Sequence, residues 1–150
     1  MTKGIKHTKF KKTSIGEIPE EWEIKSIGDL LKERVILELQ DGNHGELHPK
    51  QQHFTRSGIP CIAANCITNN RISFDKCQFL PEERLKKLRI GFAKGNDVIL
   101  NHKGTLCPTA IVPQDKAIVI LSPQTTYYRD FSTMYFKVIS FWFDRRVISN

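Results

Sequence analysis

The chain has 150 residues, 39% of them hydrophobic and 26% charged, with a formal net charge of +7 and four cysteines. That length suits one domain, and that apolar share supports a core that needs neither disulfide nor metal. No run is apolar and long enough to cross a bilayer as a helix, and the basic first dozen residues lack the apolar stretch of a secretion signal, so a cytoplasmic protein with reduced Cys61, Cys66, Cys77 and Cys107 is expected.

Residues 1–13 read as a basic, flexible lead-in carrying Lys3, Lys6, Lys9, Lys11 and Lys12; beyond it 18 basic residues face 16 acidic ones. Residues 15–22 are a turn-rich opening in which Ile15, Ile18 and Trp22 could lie on the core, and Trp22 and Ile24 alternate as in a short strand. Residues 27–33 suit a short helix, with Asp29 near its positive end. Residues 35–39 form a β-branched strand that delivers a turn at Asp41-Gly42, where glycine accepts a tight backbone at little cost. His44 and His48 follow in a polar, irregular stretch.

Residues 59–67 read as a buried strand, and Thr68-Asn69-Asn70-Arg71 as the turn of a hairpin returning through Ile72 and Phe74. Pro81-Glu82-Glu83 ahead of Leu85 and Leu88 is a helix start, the helix ending near Gly91 or Gly95. Strands are expected at 97–100, 109–112, 117–121 and 125–129. Residues 131–150 carry Met134, Tyr135, Phe141, Trp142 and Phe143 in a pattern that fits a helix apolar on most sides. The count is seven or eight short strands and two or three helices: an α+β domain rich in β.

Enzyme signatures are missing. There is no Gly-x4-Gly-Lys or Gly-x-Gly-x-x-Gly phosphate loop, no Gly-x-Ser-x-Gly elbow and no Asn/Asp-Pro-Pro-aromatic methyltransferase motif. The (Asp/Glu)-x-Lys triplet Glu23-Ile24-Lys25 has no aspartate before it, so a metal-dependent nuclease lacks its second acid. His44, His48 and His53 near Cys61 and Cys66 have spacings loosely compatible with zinc. In one strand, however, Cys61 and Cys66 would point to opposite faces, which argues for buried reduced thiols, no metal and no cofactor. The remaining signal is electrostatic: Arg84, Lys86, Lys87, Arg89, Lys94 and Lys103 stand against a single acid, Asp97. Such a local excess suits a polyanion, because each neutralised phosphate releases counterions.

Several short motifs, in order, resemble the target-recognition domain of the specificity subunit of type I restriction–modification systems. They run from Ile15-Gly16-Glu17-Ile18-Pro19-Glu20-Glu21-Trp22 and Ile27-Gly28-Asp29-Leu30 through Asp41-Gly42-Asn43-His44, Gly58-Ile59-Pro60, Ile72-Ser73-Phe74 and Phe79-Leu80-Pro81. They continue with Asp97-Val98-Ile99-Leu100, Lys103-Gly104-Thr105, Ala110-Ile111-Val112 and Leu121-Ser122-Pro123-Gln124. The resemblance implies a target-recognition domain with a curved sheet over 14–130 and the start of a spacer helix over 131–150, apparently a single, truncated copy. It implies a non-catalytic component that binds double-stranded DNA, reads one half of a bipartite site and serves an adenine methyltransferase subunit and a restriction subunit, with a homodimer through the C-terminal stretch as one arrangement. Cys107-Pro108 stands where the family has Gly-Arg, which removes a cation from that loop.

Within that reading, Lys86, Lys87, Arg89 and Lys103 are assigned to phosphates, with Thr105 as a hydroxyl donor. Asn43, His44, Asn70, Arg71, Gln124 and Tyr127 are assigned to base edges. Asn43 and His44 read equally well as a self-capped structural turn, and 124–128 as a strand with one exposed face. An interaction module with a vestigial recognition fold is the alternative to DNA reading, and a small hydrolase built on His44 and His48 is a remote one.

Overall fold

The computed structural model describes residues 7–103 and 108–130. Its first elements are β1 (Phe10–Thr13), β2 (Gly16–Pro19), α1 (Ile27–Lys32), β3 (Ile36–Asp41), β4 (Ile59–Ile62), β5 (Ile67–Thr68) and β6 (Arg71–Ile72). There follow β7 (Gln78–Leu80), α2 (Glu82–Leu85), β8 (Phe92–Ala93), β9 (Val98–Asn101), β10 (Thr109–Ile111), β11 (Val119–Leu121) and β12 (Thr125–Asp130). The α+β character with dominant strand is therefore present, built from more and shorter strands than the sequence suggests.

Two four-stranded sheets carry the fold. One has the order β10-β9-β12-β3 and is antiparallel throughout; the other has the order β7-β4-β11-β8, with β4 and β11 parallel. The period-2 alternation of strand side chains divides the apolar residues among three clusters. Ile62, Ile99, Val119, Leu121 and Tyr127 meet in the central cluster that joins the two sheets. Their strand neighbours point the other way. Val98 and Tyr128 join Ile36 in a cluster that takes Leu30 of α1, while Ile59, Cys61 and Ile120 join Leu80 and Leu88 in one that takes Leu85 of α2. Strand β11 is buried on both faces, which explains why it reads Val-Ile-Leu without alternation.

Local signals account for the helices. Ser26 accepts the Asp29 N–H while Asp29 accepts the Ser26 N–H, a reciprocal cap at the start of α1. Helix α2 starts after Pro81 as expected but ends at Leu85, because the chain turns there to place Leu88 in the core. Asn69 and Asn70, at φ of 49° and 59°, make the two-residue turn of the expected hairpin β5–β6.

Three expectations need correction. Residues 10–13, expected in a flexible lead-in, pair with β2 as a hairpin. Ile15 and Trp22 do not reach the core; they are 44% and 51% exposed. Residues 59–67 are not one strand, since β4 ends at Ile62 and a 3-10 turn carries Ala64–Cys66. That turn brings Cys66 back, with its Sγ 3.8 Å from the Cys61 carbonyl oxygen, so the opposite-faces argument fails. Cys61, Cys66 and Cys77 are free and buried. Burial, followed by the neighbouring Cys66, pushes the Cys61 thiol up to about 12. Among the described residues no cluster of His, Cys, Asp or Glu could hold a metal, and no helix is long and apolar enough to cross a membrane. Residues 131–150 lie outside the described residues.

Candidate nucleic-acid interface

Strand register decides which loops share a surface. Asp41, the last residue of β3, stands opposite Thr126, and Asn101, the last of β9, stands opposite Thr125. The loops after β3 and β9 and the loop before β12 therefore leave the antiparallel sheet at one end. In the second sheet Ile62 pairs with Leu121, and Ser122 donates its N–H to the Ile62 carbonyl, so the loop after β4 opens at the same place.

Gly42 and Asn43 thread this junction. Gly42 donates to the Thr125 carbonyl and Asn43 to the Leu121 carbonyl, at 2.8 and 3.0 Å. A Cβ on Gly42 would lie 1.8 Å from the Ser122 carbonyl oxygen, so only glycine fits. Beyond it the chain makes two 3-10 turns, Gly45–Leu47 and Gln51–His53, and residues 48–51 with Phe54 form one wall of a cleft of about 420 Å³.

Phe54, Cys61, Cys66 and Pro123 give the cleft apolar surface, and its polar side chains include His48, Lys50, Gln51, Asn65, Lys76, Gln78, Ser122 and Gln124. Among the described residues no Asp or Glu lines it. Gln78 Nε2 donates to Gln51 Oε1 at 3.2 Å, a bond that leaves out the Gln78 carbonyl and the Gln51 side-chain N–H groups. Asn65 Nδ2 donates to the Lys76 carbonyl and Lys76 Nζ to Thr68 Oγ1, both at 3.3 Å, and among the described residues no carboxylate forms an ion pair with Lys76. Burial, followed by the charge of His44, pushes the pKa of His48 down, and its Nδ1 is buried without a partner. Next to the cleft, the Gln124 carbonyl accepts the His102 N–H at 3.0 Å. Asn101 brackets the Lys103 backbone through both its amide groups at 3.1 Å, which fixes the chain just after β9.

The residues expected to touch DNA divide into three groups. His44, Asn70, Arg71, Lys86, Lys87, Arg89 and Lys103 are exposed, and Gln124 is half-buried in the cleft wall. Asn43 and Tyr127 are corrections: both are 1% exposed. The Asn43 amide donates to the Leu121 carbonyl, and the Tyr127 hydroxyl donates to Gln40 while Arg129 lies 4.9 Å from its ring centre. Asn43 is thus structural, held by Leu121 rather than capping its own turn, and Tyr127 is a core residue. Thr105 lies outside the described residues. The amides and lysines at 50, 51, 65, 76 and 78 did not stand out in the sequence. They are scattered over 29 positions and nothing in their spacing joins them; only the β4–β7 and β4–β11 pairings do.

No protein-family model matches the chain. Over 100 residues, 66% of its length, it is 32% identical to the type I restriction enzyme MjaVIII specificity subunit of Methanocaldococcus jannaschii. The chain is related to the type I restriction specificity subunits. It spans about a fifth, 21%, of that curated specificity subunit. Its fold matches the crystal structure of the HsdS subunit from Thermoanaerobacter tengcongensis with a TM-score of 0.52, over 75% of this chain and 27% of that one, at 9% identity. A likeness at that identity carries the fold alone, and the cleft, with its amides and lysines, belongs to this chain's own side chains.

Proposed function

We propose that residues 14–130 are a target-recognition domain that reads one half of a bipartite DNA site as the cytoplasmic, non-catalytic specificity component of a type I restriction–modification complex. One observation carries this reading: loops from both sheets converge on a cleft lined by four amides and two lysines, with no carboxylate lining it among the described residues. Amides present paired donors and acceptors, which is what adenine and other base edges require, and lysines serve phosphates. Lys86, Lys87, Arg89 and Lys103 extend the cationic surface, and His44, Asn70, Arg71 and Gln124 remain candidates for base edges; Arg71 stands opposite Thr68, the residue that holds Lys76. The partners of this reading are double-stranded DNA, a methyltransferase subunit and a restriction subunit, with a homodimer through 131–150 as one form of the assembly.

Charge reversal tests it. Lys86→Glu with Lys87→Glu is expected to weaken binding to every duplex tried and to lower the slope of log K against log salt by roughly two. Equal affinity of the variant and the parent at low salt would remove this segment from the interface.

The alternative, an assembly module, is favoured by a different observation. Phe10, Trp22, Ile24, Ile27, Leu31 and Leu37 are all exposed on the N-terminal elements and β3. Light scattering that shows stable association with no duplex affinity would favour that role.

A further inference from the structure

Beside the cleft, His53 ends the 3-10 turn Gln51–His53, and Arg84 of α2 packs on it. Arg84 Nη2 lies 2.9 Å from His53 Nδ1 and 3.0 Å from Nε2. A nitrogen nearly equidistant from both ring nitrogens at this range would collide with Cε1 if it lay in the ring plane, so Arg84 Nη2 lies over the imidazole face. In the plane, His53 Nδ1 accepts the Lys50 N–H at 3.0 Å. An accepting Nδ1 makes His53 a neutral tautomer whose Nε2–H is a donor.

The surroundings are one-sided. The charges that act on His53 are Arg84 and Lys87, from α2 and the turn after it, and Lys50, from its own turn; Glu82 and Glu83 of α2 are not among them. Burial first, then these three cations, pushes the pKa of His53 down. Among the described residues no carboxylate comes within ion-pair distance of Lys50, Arg84 or Lys87. Arg84 Nε is buried and has no hydrogen-bond partner. A partly buried guanidinium with no counter-charge is costly, and an arriving anion relieves that defect.

We propose that Lys50, His53, Arg84 and Lys87 form a seat for a phosphate oxyanion. Arg84, packed on the imidazole, supplies fixed donors, His53 holds it in place and adds Nε2–H, and the two lysines supply mobile charge. This deepens the proposed function and rests on it only for the source of the phosphate, a DNA backbone; the seat itself rests on the geometry. Lys50 also lines the cleft, so an occupied seat would place a phosphate at the rim of the base-reading surface.

The test follows the His53 ring signals by NMR in the full chain, with sodium sulfate and then a mixed-sequence duplex as probes. Sulfate is expected to shift the ring signals saturably and to raise the pKa of His53, since an anion favours the imidazolium. Arg84→Gln, and separately Lys50→Gln with Lys87→Gln on the exposed side, should each weaken sulfate at least tenfold; the second variant leaves the packed Arg84 in place. A duplex that produces the same shift identifies the phosphodiester as the occupant. A shift with sulfate alone upholds the seat and assigns it to a free oxyanion. A duplex that binds while His53 responds to neither probe overturns the seat and leaves DNA reading standing, and unchanged sulfate affinity in both variants overturns it as well.

Discussion

Arg129 shows how much of this domain depends on single charged groups. Its guanidinium pairs with Asp97, at 2.7 Å to Oδ2 and 2.9 Å to Oδ1, and with Glu38, and it also donates to the Phe92 carbonyl. Asp97 is 1% exposed and also accepts the Lys94 N–H. These hydrogen bonds, led by the one to Asp97, hold the pKa of Arg129 up. Arg129→Met would leave a carboxylate buried without its partner, and a loss of about 3–5 kcal/mol is expected in chemical denaturation. Adding Asp97→Asn should recover part of that loss; a loss below about 1 kcal/mol in the single variant would mean that Asp97 reaches water. The sequence places Asp97 ahead of an apolar strand but not beside Arg129, because the pairing crosses 32 positions and depends on β9 lying next to β12. Gly42 was legible as structural, since Asp-Gly marks a turn. That its neighbour Asn43 is buried was not, because an asparagine in a turn looks the same whether its amide faces water or a carbonyl 78 positions away.

At the scale of elements, the hairpin β5–β6 gives the sharpest local prediction. Asn69 and Asn70 both hold positive φ, a conformation that costs most L-residues about 1–2 kcal/mol each. Asn69→Ala with Asn70→Ala should therefore destabilise the domain by about 2 kcal/mol, and Asn70→Gly should be neutral or stabilising; melting temperatures in the reverse order would contradict this turn. This element was readable because its signal is local and chemical. Asp29 at the start of α1 and the proline start of α2 were readable for the same reason, whereas the Ser26 cap was not read from the sequence. Other elements were misread where long-range packing decided. Residues 59–67 look like one strand by composition, yet the chain breaks after Ile62 so that Cys66 and Ile67 can join the central cluster. The β1–β2 hairpin carries too little apolar alternation to show in the sequence, and backbone pairing alone defines it. The cleft was invisible for a related reason. Its amides come from a turn after β3, a turn after β4, strand β7 and the loop before β12, and only sheet register brings those four together.

The whole molecule combines an excess of positive charge with a polar, acid-free cleft at one end of two sheets. The charge supports binding to any duplex, and the amides support choice among sequences, so the two roles separate by mutation. Cationic variants such as Lys86→Glu with Lys87→Glu should change affinity and salt dependence with the preferred sequence kept. Amide variants should do the reverse, at about 1–3 kcal/mol for each bidentate base pairing removed. The most direct measurement is selection from a random duplex library, run in parallel on the natural chain and on Gln78→Ala and Gln124→Ala, with methyltransferase subunit supplied to each. A defined half-site is expected for the natural chain, relaxed at one or two positions in each variant with little change in non-specific affinity. Recovery of the same site, equally sharp, from all three proteins would refute base reading by the cleft.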